Sequence, residues 1–301
     1  MNVAVRVMER VVRHAPFGLR LWDTATSTQF IEGLVIDVSP RRRSGRTARA
    51  FVNPSGIYCV QDLPGLQTFT HGEANDPGDW AAALRGYRVT VRDPAGRFLP
   101  LAFDADLPGR GLFDPFLAAS PPTGIFPLPE SPPSPPVGLP PRVSLFSAPS
   151  RRVPDAVAVV RAELREFPSG RPAAWCLLQA SIAGTTVGFG LADPEGRATI
   201  LFPYPAPPKR TVSSPPTPRN DSRWMVTLGA YYWPRPADAA APAIPDLAEV
   251  LAQIDSPRVL LGSLSPPQVL APMPLEYRVP LTVRTWSAVA EQSSYLFVDV
   301  T

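Results

Sequence analysis

The chain has 301 residues, 45% hydrophobic and 18% charged, with a formal net charge of +3. The hydrophobic share excludes global disorder, and so small a net charge does not supply the basic surface of a nucleic-acid binder. Proline is the outlier at 41 residues. It removes a backbone donor and fixes φ, which leaves room for short strands and fixed loops and for few long helices.

Lys209 is the only lysine, so arginine carries nearly all the positive charge. Arginine suits bidentate contacts to carboxylate or phosphate, but a GC-rich codon composition enriches Arg, Ala, Pro and Gly together and is the simpler reading. Cys59 and Cys176 sit in apolar runs and read as buried free thiols rather than a disulfide framework. Charged Arg6, Glu9, Arg10 and Arg13 interrupt the N-terminal apolar stretch, which therefore does not read as a signal peptide. No apolar run approaches the 18 or so residues of a membrane span, so the expectation is a cytoplasmic protein, released if at all within a larger particle.

In chain order, residues 1–112 read as a first folded unit. Its strand-like runs are 18–23, 30–38, 48–52, 57–60, 87–92 and 98–103. In 88–92, Val89 and Val91 alternate with Arg88, Thr90 and Arg92, the pattern of a half-buried strand. Residues 113–153 are dominated by proline and read as a semi-rigid extended segment, with enough apolar residues to lie against the units it joins. Residues 154–301 form a second unit with runs at 157–164, 173–182, 186–191, 198–202, 224–233, 281–286 and 295–300, and a proline loop at 203–218. One helix is expected, 246–255, where Leu247, Val250, Leu251 and Ile254 fall on one face. Pro245 and Asp246 suit its start and Pro257 ends it.

A turn tetrapeptide occurs three times, as Asn53-Pro54-Ser55-Gly56, Asp93-Pro94-Ala95-Gly96 and Asp193-Pro194-Glu195-Gly196. The Asx side chain accepts from the backbone ahead of it, proline presets φ, and glycine tolerates a left-handed backbone. Each copy is expected to close a β-hairpin, with a bulge at the glycine. Around 53–56 and 193–196 the order of turn, strand, hairpin turn, strand and proline exit is shared by the two units.

That order resembles the transthyretin-like and carboxypeptidase regulatory-like sandwiches, and Gly56 through the Leu63-Pro64-Gly65 turn fits best. In the second unit Pro203-Tyr204-Pro205 stands where the family has Pro-Gly. The resemblance implies an all-β protein of two β-sandwich domains joined by a proline-rich segment, with structural or binding roles and no shared catalytic residues. Residues 145–151 with 159–164, and 18–23, also resemble accessory proteins of phage-tail-like contractile injection systems. That implies a non-catalytic structural component whose partners are protein subunits of a large assembly, with neither nucleic acid nor membrane as partner. The alternative is a carbohydrate- or surface-binding module.

Candidate chemistry is sparse. His14 and His71 are the only histidines, and the oxygen donors Glu73, Asn75, Asp76 and Asp79 read as a solvated loop without calcium-motif spacing. No nucleophile elbow, P-loop or dinucleotide fingerprint is present. The expectation is no enzyme, no metal and no cofactor. Two clusters are singled out for partner contact. Arg41, Arg42, Arg43, Arg46 and Arg49 make a basic loop for an acidic surface, or a solvated hairpin. Trp224, Tyr231, Tyr232 and Trp233 make an aromatic interface with Arg223 and Arg235, or alternate through the core. Tyr231, Tyr232 and Trp233 are consecutive, so at least one must leave the core face of a strand.

Overall fold

A computed structural model describes residues 15–41, 46–67, 84–109, 112–113, 143–153, 156–206, 223–288 and 291–301. The fold is all-β, with sandwich-like domains and, among the described residues, one short α-helix. The first unit carries β1 (Phe17–Leu19), β2 (Leu21–Asp23), β3 (Thr28–Gln29), β4 (Val35–Pro40), β5 (Ala48–Arg49), β6 (Phe51–Val52), β7 (Tyr58–Val60), β8 (Arg85–Arg92) and β9 (Leu101–Leu107). These form a four-stranded antiparallel sheet, β5-β4-β8-β9, and two short sheets, β1-β7-β6 and β2-β3. On β8 the expected alternation holds: Tyr87, Val89 and Val91 are buried, while the residues between them face outward.

The described end of the proline-rich segment is built into this unit. Strand β10 (Val143–Leu145) pairs in parallel with β2, in the register Val143 to Leu21. Val143, Leu145 and Phe146 are fully buried. Just beyond, the guanidinium of Arg151 donates to the buried carboxylate of Asp23 at 2.8 Å. Residues 143–151 are therefore part of a folded layer rather than of a spacer, because alternate apolar side chains here find a sheet to cover.

The second unit carries β11 (Val157–Phe167), β12 (Leu177–Ile182), β13 (Thr185–Leu191), β14 (Arg197–Pro203), β15 (Arg223–Tyr231), α1 (Leu247–Ala252), β16 (Pro257–Arg258), β17 (Leu260–Leu264), β18 (Pro267–Val269), β19 (Met273–Glu276), β20 (Leu281–Val283), β21 (Trp286–Ala288), β22 (Glu291–Gln292) and β23 (Leu296–Asp299). One sheet runs β14-β11-β23-β17-β21-β22, with β20 beside β11 and β18 beside β17. The other runs β13-β12-β15, with β16 and β19 sharing the far side of β15. Even-numbered residues of β11 from Ala158 to Leu164 point into the core between the sheets and meet Leu178, Ile200, Phe202, Val226 and Leu296. In Gly188-Phe189-Gly190, a Cβ on Gly190 would lie 2.8 Å from the Ile200 side chain, so the glycines let β13 approach β14 while Phe189 faces the other way.

Phe189 reaches a second core. Trp175, Leu177, Phe189 and Leu191 belong to the same apolar cluster as Phe103, Leu101, Val89 and Leu145 of the first unit. Helix α1 closes the junction. Asp246 caps it by accepting from the Ala248 N–H at 2.8 Å, and a 3-10 turn, Gln253–Asp255, continues it. Leu247 and Val250 are buried in the shared core, with Leu251 and Ile254 packed against it, which is the stripe expected from the sequence. Asp246 also pairs with Arg88 on β8, and the Ala102 N–H of β9 donates to Pro245 O at 3.0 Å. The two units thus share apolar packing, a backbone bridge and an ion pair.

All three tetrapeptides form the expected turn. Gly56, Gly96 and Gly196 have φ of 72°, 66° and 86°, and each donates its N–H to the carbonyl of the Asx residue. The chain's course after the turn differs in each case. The turn at 53–56 closes a hairpin between β6 and β7. After 93–96, Phe98 pairs with Ser147 before the chain rejoins β8 at Leu101. At 193–196 the pairing ends after Ala192 and Ala198, and β14 goes to β11 in the opposite sheet. The turn is set within five residues, whereas the destination is set by where the following apolar side chains are covered.

Candidate functional site

Of the basic cluster, Arg41 and Arg49 lie on the outer face of the β5-β4-β8-β9 sheet, and Arg42 and Arg43 fall outside the described residues. Arg41 follows β4, and its Nε is 2.9 Å from Asp104 Oδ2 on β9. Arg49 on β5 reaches Asp37 Oδ1 at 3.3 Å, and Arg92 pairs with the same carboxylate. Arg88 bridges Asp104, at 3.1 Å, and Asp246. Burial works against the charge of Arg88, but its bonds to Asp246 and Asp104 outweigh this and hold the guanidinium more firmly protonated than usual. Arg46 is exposed and has no ion-pair partner among the described residues. Among the described residues, the sheet face is a mosaic of opposite charges. Such exposed pairs are each worth under about 1 kcal/mol, so they give way readily to a competing carboxylate. Antiparallel register is what sets Arg88 opposite Asp104, and the basic loop by itself carries no sign of that neutralisation.

The aromatic residues divide between the two ends of β15. Trp224 is at one end, 6% exposed, with its ring centroid 5.2 Å from that of Tyr204. Seven strand steps, roughly 24 Å, separate it from Tyr231. Tyr231 is half-buried and its hydroxyl donates to Gln179 Oε1 at 2.6 Å. Tyr232 is in the core of the second unit and donates to Glu166 Oε1 at 2.7 Å. Glu166 also accepts from Ser169 and Arg171, so a buried carboxylate is satisfied on both oxygens. Burial, then the Glu166 bond and charge, push the Tyr232 phenol well above its ordinary value.

Trp233 is 45% exposed and leaves the strand. Its backbone N–H donates to Gln253 Oε1 at 3.1 Å and its indole N–H to the Ser256 hydroxyl. It borders a cavity of about 160 Å³ with Arg235, Glu249 and Trp175. Of the four aromatic residues, Trp233 is the one that is exposed. Sequence reasoning missed other exposed apolar side chains at sheet margins. Val269 on β18 is 69% exposed and Trp286 on β21 is 47% exposed, both on strands that pair near Ser263 of β17. Phe51 and Val52 form the edge strand β6, exposed on both residues.

Burial pushes the Cys176 thiol up to about 12, and it raises that of Cys59 as well. Neither supplies a thiolate at neutral pH. Among the described residues no three His, Cys, Asp or Glu side chains converge on a point where a metal would sit. The acidic loop 73–79 and both histidines lie outside those residues. Among the described residues, no helix is long and apolar enough to cross a membrane. No protein-family model matches the chain, and no curated protein matches it.

Proposed function

We propose that the protein is a non-catalytic assembly component that holds larger protein subunits at a fixed spacing, within a phage-tail-like contractile injection particle. The observation that carries the reading is the apolar core that continues from the first unit through α1 into Trp175, Leu177 and Phe189 of the second. Two sandwiches joined in this way transmit position as one body, which a spacer in an assembly requires. Val269, Trp286 and the edge strand β6 offer apolar strand margins of the kind that other chains pair with. The particle context rests on the sequence resemblance to injection-system accessory proteins. The protein would be held in the cytoplasm and released with the particle.

The test is co-sedimentation of the tagged chain with a high-molecular-weight particle from cells that make it. The expected result is co-migration of wild-type protein and its loss in a Val269→Asp, Trp286→Asp double variant that remains folded. Wild-type protein that stays at the size of the free chain overturns the reading.

A second reading, a glycan-binding module, is favoured by the exposed Trp233 ring beside Arg235 and Glu249, since sugars stack on indole and hydrogen-bond to flanking polar groups. It expects binding to immobilised glycans that Trp233→Ala abolishes. Trp224→Ala would instead act on stability, because that ring is buried.

A further inference from the structure

The outer face of β11 presents Val157, Val159 and Arg161 at alternate positions. The two valines join Ala25 of the first unit and Leu201 of β14 in a small apolar cluster. Tyr204, at the exit of β14, stands beside them, with its ring 5.2 Å from Trp224 and 4.9 Å from Tyr277. Val157, Val159, Arg161, Tyr204 and Arg278 line a cavity of about 400 Å³. That volume falls within the range of small-molecule sites.

Two features of the cavity bear on its use. Among the described residues, neither Arg161 nor Arg278 has a carboxylate within ion-pair distance, although both line the same space. Two guanidiniums therefore border one space with no carboxylate among the described residues paired to either. Arg278 is also held at φ 63°, a left-handed backbone that costs a non-glycine residue about 1 kcal/mol or more. The Tyr204 hydroxyl secures it by accepting the Arg278 N–H at 2.8 Å, and the guanidinium lies 5.4 Å from the Tyr277 ring centroid. Strain kept in place by a dedicated hydrogen bond fixes where a side chain stands, and here it stands at a cavity rim. Val157, Val159 and the Tyr204 ring give the space an apolar wall beside the two guanidiniums.

We propose that this cavity binds a small organic oxyanion, a carboxylate or phosphate monoester on a compact apolar body. Arg161 and Arg278 grip the oxyanion, while Val157, Val159 and the Tyr204 ring cover the body. The site is independent of the assembly reading, since none of these residues belongs to the exposed strand margins.

The test is calorimetric titration of the full chain with phenyl phosphate and benzoate, using inorganic phosphate and benzyl alcohol as controls. The expected result is that phenyl phosphate or benzoate binds at least about tenfold more tightly than either control, and the tighter of the two assigns the anion. Arg161→Gln and Arg278→Gly should each weaken binding about tenfold or more, the loss of one charge-assisted hydrogen bond. Glycine at 278 accepts the left-handed backbone, so that variant removes the guanidinium and keeps the turn. Arg46→Gln, on the far sheet face of the first unit, should leave binding unchanged. Aryl oxyanions that bind no better than inorganic phosphate overturn the proposal. So does undiminished binding in folded Arg161→Gln and Arg278→Gly variants.

Discussion

Gly196 separates the cost of a left-handed backbone from the cost of close packing. A Cβ built there would lie 2.3 Å from the carbonyl oxygen of Leu164, while at Gly170 it would meet nothing within 4 Å. Both glycines have positive φ, 86° and 71°. Alanine in either place carries the left-handed penalty of about 1–2 kcal/mol. At Gly196 the backbone must also open by about 0.7 Å to reach even the 3.0 Å limit of real Cβ contacts. That movement loosens the Leu164 N–H bond to Gly196 O, now 2.7 Å, and the Ala173 N–H bond to Leu164 O, now 3.1 Å. At about 1 kcal/mol net for each, Gly196→Ala should cost about 3–4 kcal/mol and Gly170→Ala about 1–2 kcal/mol. Urea unfolding followed by tryptophan fluorescence reads both as midpoint shifts. Equal shifts for the two variants would refute the claim that this turn is wedged between the sheets.

Two further outcomes follow from the fold. Leu247 is 2% exposed in the core shared by both units, so Leu247→Ala should destabilise by about 2–4 kcal/mol. Calorimetry should show the units unfolding in a single transition that moves as one in this variant; two separate transitions would mean that the helix does not couple them. The Asp93 carboxylate supplies a pH dependence. Burial acts to raise its pKa, but bonds from the Arg97 guanidinium and from the Arg97 and Ala95 N–H groups prevail and hold it below the ordinary 3.8. A depressed folded value stabilises above the unfolded value and is lost as pH falls through the folded one, so this contribution disappears below about pH 4. Asp93→Asn keeps the turn, as Asn53 does in the first copy, and should cost about 1–2 kcal/mol at neutral pH. Its urea midpoint should then decline less steeply than wild type between pH 5 and acid of about pH 3, and parallel declines would count against the assignment.

How legible the chain is depends on the range of the interaction concerned. Alternation on β8, the stripe of α1 and the three turns rest on contacts within a few residues, and all are readable from residue order. Strands β16, β18 and β19 are hidden because Pro257, Pro267 and Pro274 mark them as loop. Each pairs on one side only within its sheet, and an edge strand is where proline's missing donor is tolerated. The candidate sites were less legible. Whether Arg49 is free depends on Asp37, twelve residues away on another strand, and whether Arg41 is free depends on Asp104.

By itself the sequence determined the all-β class, the turn chemistry, the short helix after Asp246 and the need for one of three consecutive aromatics to leave the core. Tertiary structure alone decided that Trp233 is that residue while Trp224 is buried, and that residues 143–151 complete the first unit. It also decided that the 193–196 turn is a corner between sheets, and that Arg161 and Arg278 share a cavity. The physical reason is common to all four. Backbone propensity acts between near neighbours, whereas burial and charge pairing depend on which distant segment the folded chain brings alongside.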